Sequence, residues 1–316
     1  MIGDRVLEYQ TALPFDADND ALVGDRIRNE AQTMSAAWHK DRAEAIPSIP
    51  EKPVWQQLAD LSGSKEMFRN GNYLPVGYDA RTAMPYAINL AEVYSYIISG
   101  ARKKGKTNLL RVMMLSAQQL GGQVVVVDYA GELDNFCKEH QLRRIGTELE
   151  MYQYVKELIP VVKERNLAKQ EIRKTCNDEL QIYQEMQKFE KIFILIDNYP
   201  DFVRKAYHPS ADANVPGDYV SFLQTVTDKC TLHNIFWFIA MDKESIGTAS
   251  GTELYRNMVR DKKGIHLGGN VHLTAAGGMS FENQNRRTVE NARPVGIGML
   301  AQNDNTDVTE IVIPMA

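Results

Sequence analysis

Ser99-Gly100-Ala101-Arg102-Lys103-Lys104-Gly105-Lys106-Thr107-Asn108 is the stretch on which the reading of this chain turns. From Gly100 to Thr107 the spacing is G-x-x-x-x-G-K-T. The apolar run Val93-Tyr94-Ser95-Tyr96-Ile97-Ile98 precedes it, and Leu109-Leu110-Arg111-Val112-Met113-Met114-Leu115 follows. A strand therefore enters the loop and a helix leaves it, as a phosphate-binding loop requires. Glycines let successive backbone N–H groups curl around a phosphate chain, and the helix N-terminus adds the positive end of its dipole. Nucleotide is expected on Gly100, Ala101, Arg102, Lys103, Lys104, Gly105, Lys106, Thr107 and Asn108. Lys106 would reach the outer phosphates and the Thr107 hydroxyl would ligate magnesium. For Arg102, contact with phosphate and simple exposure to solvent are both open.

Composition bounds the rest. The 316 residues are 44% hydrophobic and 24% charged, an ordinary globular balance for one large domain with or without an arm. A net charge of -5 gives no strong field toward nucleic acid or anionic lipid. No uninterrupted apolar run approaches the ~20 residues that cross a bilayer. The opening Met1-Ile2-Gly3-Asp4-Arg5-Val6 is too polar for a secretory signal. Cys137, Cys176 and Cys230 are few and far apart, which fits a reducing compartment and neither a disulfide framework nor a zinc site.

Residues 1–60 read as a connecting arm: a short strand over 6–13, an acidic break, then a helix over 20–42. Ile27, Ala31, Met34 and Trp38 share one face of that helix, and the proline-bearing stretch 46–53 runs extended. The compact body starts near Trp55 and is assigned to residues 61–316. Strands are expected at 72–79 and 85–90, before the glycine loop. The runs Val124-Val125-Val126-Val127, Ile192-Phe193-Ile194-Leu195-Ile196 and Ile235-Phe236-Trp237-Phe238-Ile239 are uninterrupted, as in strands covered on both faces. Charged residues over 148–188 predict two helices broken near Asn166 or Asn177, with a solvated outer face. A helix over 218–232 and closing strands at 264–267 and 308–313 complete the pattern. Alternating helices and buried strands predict an α/β fold: a mostly parallel central sheet with helices on both faces. Ligands bind beyond the carboxyl ends of such strands, where the glycine loop, Asp128, Asp197 and Asp242 all fall.

Asp197 ends its apolar run where a second carboxylate would support magnesium; the plainer reading is an aspartate that caps a strand. The next residue is Asn198, at the position where an efficient ATPase carries glutamate. A neutral amide orients water but takes no proton at neutral pH. Asp201 is a candidate substitute for the missing base. Asp242 either senses the outer phosphate or is a loop aspartate, because an anion beside phosphate is repelled unless a cation intervenes. Asp128 reads as structural. Nucleotide binding with weak or absent hydrolysis is the reading these residues favour.

The glycine loop and the strands at 192–197 and 235–240 resemble the RecA-like motor domains of the FtsK/SpoIIIE family. Several segments are similar, more narrowly, to the EssC/EccC ATPases of type VII secretion: Gln10-Thr11-Ala12-Leu13-Pro14, Ala36-Ala37-Trp38, Leu74-Pro75-Val76-Gly77-Tyr78-Asp79, Gly264-Ile265-His266-Leu267-Gly268-Gly269-Asn270 and Pro294-Val295-Gly296-Ile297-Gly298. The resemblance implies a RecA-like P-loop NTPase fold with ATP and magnesium as cofactors. It implies a C-terminal ATPase domain whose residues 1–13 are the tail of a preceding domain, within a motor anchored on the cytoplasmic side of the membrane. The implied partners are small helical WXG-type secretion substrates and other ATPase domains of the same machine, with no DNA. Asn198 and Asp242 depart from the family pattern and put hydrolysis in doubt. An active secretion ATPase is the alternative, followed by a DNA translocase.

Overall fold

The computed structural model describes residues 19–38, 47–210, 213–242, 245–268, 279, 281, 291–301 and 308–316. The strand expected at 6–13 and the family-like stretch 269–270 lie outside them, whereas the helix expected over 20–42 stops at Ala37, where Trp38 turns extended. The chain divides into two units, 1–46 and 47–316. In the first, helix α1 (Asp20–Ala37) starts where the Asn19 side chain accepts the Leu22 N–H at 3.0 Å. Its stripe of Ile27, Ala31, Met34 and Trp38 is exposed.

The second unit opens with α2 (Trp55–Asp60) and α3 (Ser62–Asn70), then a hairpin of β1 (Tyr73–Asp79) and β2 (Pro85–Asn89). Strand β3 (Ser95–Gly100) leads through the glycine loop into α4 (Lys106–Gln119). There follow β4 (Gln123–Val127), α5 (Asp134–Glu139), β5 (Arg143–Ile145), α6 (Glu148–Thr175), α7 (Glu179–Met186) and β6 (Ile192–Ile196). The remainder is α8 (Tyr199–Tyr207), α9 (Asp218–Lys229), β7 (Ile235–Asp242), α10 (Glu253–Val259), β8 (Gly264–Leu267), β9 (Ile297–Ala301) and β10 (Glu310–Val312).

These strands form one sheet in the order β2-β1-β10-β9-β8-β3-β7-β6-β4-β5. From β8 to β5 every pairing is parallel; from β8 to β2 every pairing is antiparallel. Side chains alternate across a sheet, and both faces are covered here. Val125, Ile194, Trp237 and Ile239 pack with α6, α8, α9 and α10 on one side. Val126, Phe193, Leu195 and Phe238 pack with α4 and α5 on the other. This double burial explains why β4, β6 and β7 are apolar without interruption, and it bears out the expected fold class.

Some boundaries differ from the expectation. Residues 47–60 pack with the body rather than with an arm: the Trp55 N–H donates to Met315 O at 2.7 Å, its indole N–H donates to Ser116 Oγ at 2.9 Å, and Leu58 is fully buried. Asn166 stays helical inside α6, and the break falls at 176–178, beside Asn177. The charged face of α6 is not wholly solvated. Arg165 is buried and donates to His233 O at 2.6 Å, and Lys169 donates to Lys229 O at 3.3 Å at the end of α9. The helix expected over 218–232 ends at Lys229, and the last strand shortens to β10.

Candidate functional site

Beyond the carboxyl ends of β3, β7, β6 and β4 lies a cleft of about 1050 Å³, lined by Lys106, Thr107, Asn108, Asp197, Asn198, Asp201, Asp242 and Glu132 among others. The glycine loop forms its floor. A Cβ on Gly100 would stand 2.2 Å from Leu267 O in β8, so only glycine fits this close pairing. Gly105 begins α4 at φ +103, and Lys103 also has a positive φ of +58. Only glycine takes the first of these conformations readily. The loop is backed by the segment before β9: Lys104 Nζ donates to Arg293 O at 3.0 Å and the Gly296 N–H donates to Lys104 O at 3.4 Å. Buried Arg293 is held in turn by Glu310 at 2.8 Å.

Lys106 folds back over its own loop. Its ammonium donates to Ala101 O at 2.8 Å and pairs with Asp242 Oδ1 at 2.5 Å. Asp242 is the last residue of β7 and the register partner of Gly100 in β3, so strand pairing sets it beside the loop. Its other oxygen is 3.5 Å from Arg102 Nε, although the Arg102 side chain is 82% exposed. Asp242 is therefore neither free in a loop nor an unscreened anion. Asn108 brackets the C-terminal segment through its side chain: Nδ2 donates to Pro314 O at 2.8 Å and Oδ1 accepts the Ala316 N–H at 3.2 Å.

Asp197 follows β6, two strands away from β3, with β7 between them. It is partly buried and its Oδ1 accepts the Asn198 N–H at 3.2 Å. Burial, then the negative charges of Glu132 and Asp128, push its carboxyl up to about 6, against the pull of the Asn198 N–H and Lys106. A carboxylate strained in this way gains from a nearby cation. Among the described residues no group of three or more His, Cys, Asp or Glu could hold a metal alone. Thr107 and Asp197, the oxygen donors expected to meet magnesium, both line the cleft, and magnesium dehydrates reluctantly and keeps few protein ligands.

Asn198 is exposed and caps α8 in the left-handed region, φ 54 and ψ 61. Asparagine tolerates that conformation better than glutamate does, which is a backbone reason for the amide. Asp201 lies one turn into α8, paired with Arg204 at 2.5 Å and Lys205 at 3.5 Å. Asp128 is structural, as its position suggested. Its buried carboxylate accepts from the backbone of Gly131, Glu132 and Leu133 and pairs with Arg144 at 3.1 Å. The sequence reading missed Glu132 and the segments around Pro53, Pro294 and Met315 as lining of the cleft. The only local signal for Glu132 was a strand-ending aspartate followed by a glycine turn.

The strand order, with β7 inserted between the loop strand and the Asp197 strand, and the G-x-x-x-x-G-K-T loop give the chain a RecA-like P-loop NTPase fold. Within that class the FtsK/SpoIIIE-type, EssC/EccC-like resemblance is borne out by comparison. No family model matches the chain. The ESX secretion system protein EccC of Geobacillus thermodenitrificans is 28% identical over 114 residues, 36% of this chain and 8% of that protein. The solved EssC (ATPases 2 and 3) from Geobacillus thermodenitrificans superposes with a TM-score of 0.68 at 15% identity, covering 95% of this chain and 51% of that one. EccC (ATPases 2 and 3) of Thermomonospora curvata, in complex with a signal sequence peptide, gives 0.60 at 17% identity, covering 96% and 50%. The matched stretches span about a tenth or less of the curated relatives' length.

Proposed function

We propose that this chain is an ATP-binding domain of a type VII secretion motor, one that binds magnesium-ATP, hydrolyses it poorly and serves regulation of the motor or recognition of its substrates. The observation that carries the reading is Asn198 at the start of α8, directly after Asp197, where a water-activating carboxylate would stand. Lys106 and the N–H groups of residues 100–108 would hold the phosphates. Thr107 and Asp197 would hold the magnesium, which supplies charge neutralisation at the outer phosphate oxygens. Lys106 and Arg102, already paired with Asp242, would exchange that carboxylate for phosphate as nucleotide enters. Binding energy spent in this way biases conformation and assembly without turnover.

The secretion context rests on similarity to EccC and EssC, one of which is described with a signal sequence peptide. By that analogy the partners are WXG-type substrates and other ATPase domains of the machine, and the place is the cytoplasmic side of a membrane reached through the parent protein. The net charge of -5 argues against a DNA channel. An active secretion ATPase is the second reading, favoured by the carboxylates that remain in the cleft. Calorimetric titration with magnesium-ATP, paired with steady-state hydrolysis, tests the proposal on the native chain and on Lys106→Ala. Micromolar binding that the variant loses, with slow turnover, supports it; fast turnover overturns the hydrolysis-poor reading, and absent binding overturns the nucleotide site.

A further inference from the structure

A slow ATPase still needs a group that takes the proton of the attacking water, and the residue after Asp197 is an amide. Among the described residues six carboxylates line the cleft: Glu51, Asp128, Glu132, Asp197, Asp201 and Asp242. Asp128 is consumed by three backbone N–H groups and Arg144. Asp201 is neutralised by Arg204 and Lys205, and Asp242 by Lys106 and Arg102. Asp197 is the carboxylate suited to magnesium. Glu51 adjoins the Pro53 backbone that accepts from Met315, on the side of the C-terminal segment. Glu132 remains.

Its backbone is anchored on both sides. The Glu132 N–H and both flanking N–H groups donate to the buried Asp128 carboxylate, at 2.9 to 3.3 Å. Gly131 turns the chain at φ +79, and Leu133 is fully buried. Between these two anchors the Glu132 side chain is exposed to the cleft and makes no hydrogen bond or ion pair among the described residues. Glu132, Thr107 and Asp197 line the same cleft. An unpaired carboxylate on an anchored backbone, in the same cleft as Thr107 and Asp197, is what a water-activating base requires.

We propose that Glu132, standing at the end of β4 rather than after β6, is the catalytic carboxylate of this site; the proposal rests on the cleft being a magnesium-ATP site. In the reaction the water oxygen forms a new bond to the γ-phosphorus while the bond from that phosphorus to the β–γ bridging oxygen breaks. The leaving electron pair stays on ADP. The water's proton passes to a Glu132 carboxylate oxygen and from there to solvent, and Asn198 orients the same water through its amide.

The test compares the native chain with Glu132→Gln and, as a control outside the cleft, Glu185→Gln on the exposed face of α7 by three measurements: affinity for magnesium-AMPPNP, affinity for magnesium-ADP with aluminium fluoride, and single-turnover hydrolysis. Glu132→Gln is expected to keep AMPPNP affinity, to lose roughly 100-fold in hydrolysis, and to bind the aluminium fluoride complex at least about tenfold more weakly. Glu185→Gln should move none of the three. Hydrolysis unchanged in Glu132→Gln, or a native chain that binds AMPPNP and never turns over, overturns the proposal and leaves the nucleotide site standing. A native chain that fails to bind AMPPNP overturns both.

Discussion

Lys106 Nζ stands 2.5 Å from Asp242 Oδ1, so the loop's principal cation is already paired before phosphate reaches it. A phosphate must displace that carboxylate or share the lysine with it. Asp242→Asn should therefore tighten magnesium-ATP binding by roughly fivefold, about 1 kcal/mol. Lys106→Ala should weaken it by at least about 100-fold, through loss of a charge-assisted contact with the outer phosphates. Titration calorimetry measures both. Weaker binding by Asp242→Asn would mean that the aspartate holds the lysine in its working position instead of competing for it.

The Asp128 carboxylate is nearly inaccessible to solvent and gathers three backbone N–H groups with the Arg144 guanidinium. Truncation to alanine strands all of these donors. Asp128→Ala should cost about 3 kcal/mol in urea unfolding and, with Glu132 unmoored, should slow turnover more than it weakens AMPPNP binding. An unfolding midpoint equal to that of the native chain would rule out the anchoring role.

His233 is fully buried, and neither of its ring nitrogens has a partner among the described residues. Burial, then the charges of Lys169 and Arg165, push it down to about 3. The folded protein thus keeps His233 neutral well below the ~6.5 at which an unfolded chain protonates it. Over that window the unfolded state binds more protons, so stability rises with pH and is lost toward acid. The slope from this one residue is about 1.4 kcal/mol per pH unit between about pH 6 and about pH 4. Unfolding titrations across that range should show a shallower slope in His233→Leu. Parallel curves for the two proteins would refute the assignment.

Gly100→Ala places a methyl group 2.2 Å from Leu267 O, a backbone atom of the neighbouring strand. Relief requires β3 and β8 to separate just where the loop leaves the sheet. The variant should lose 2 kcal/mol or more, as an order of magnitude for overpacked sites, with nucleotide binding falling in step. Thermal unfolding with and without AMPPNP reads both effects.

The glycine loop, β4, β6 and β7 were legible because each is a local pattern: a fixed spacing, or a run of apolar residues dictated by burial on both faces. Strand β5 was not, since Arg143-Arg144-Ile145 is short, charged and at the sheet edge, and its arginines serve Glu157 and Asp128 rather than a core. Helix α8 was hidden by Pro200 in its first turn. The pairing of Asp242 with Lys106 follows from the parallel register that opposes Gly100 to Asp242. Register between strands so distant in sequence depends on the crossovers, which no local pattern encodes. Glu132 was unreadable for the same reason: alone it is a surface glutamate, and only the neighbouring strand ends give it a role.

Met315 is clasped between two backbone hydrogen bonds, donating to Pro53 O at 2.8 Å and accepting from the Trp55 N–H at 2.7 Å. On either side of it, Pro314 and Ala316 are gripped by Asn108 in the first turn of α4. Two distant stretches of chain are thereby knotted to the helix whose N-terminus faces the phosphate position. A tug on the strand of backbone entering the body at 47–53 arrives at the glycine loop within a few bonds. The stretch at 47–53, the C-terminal segment and the first turn of α4 thus form one continuous hydrogen-bonded linkage beside the loop.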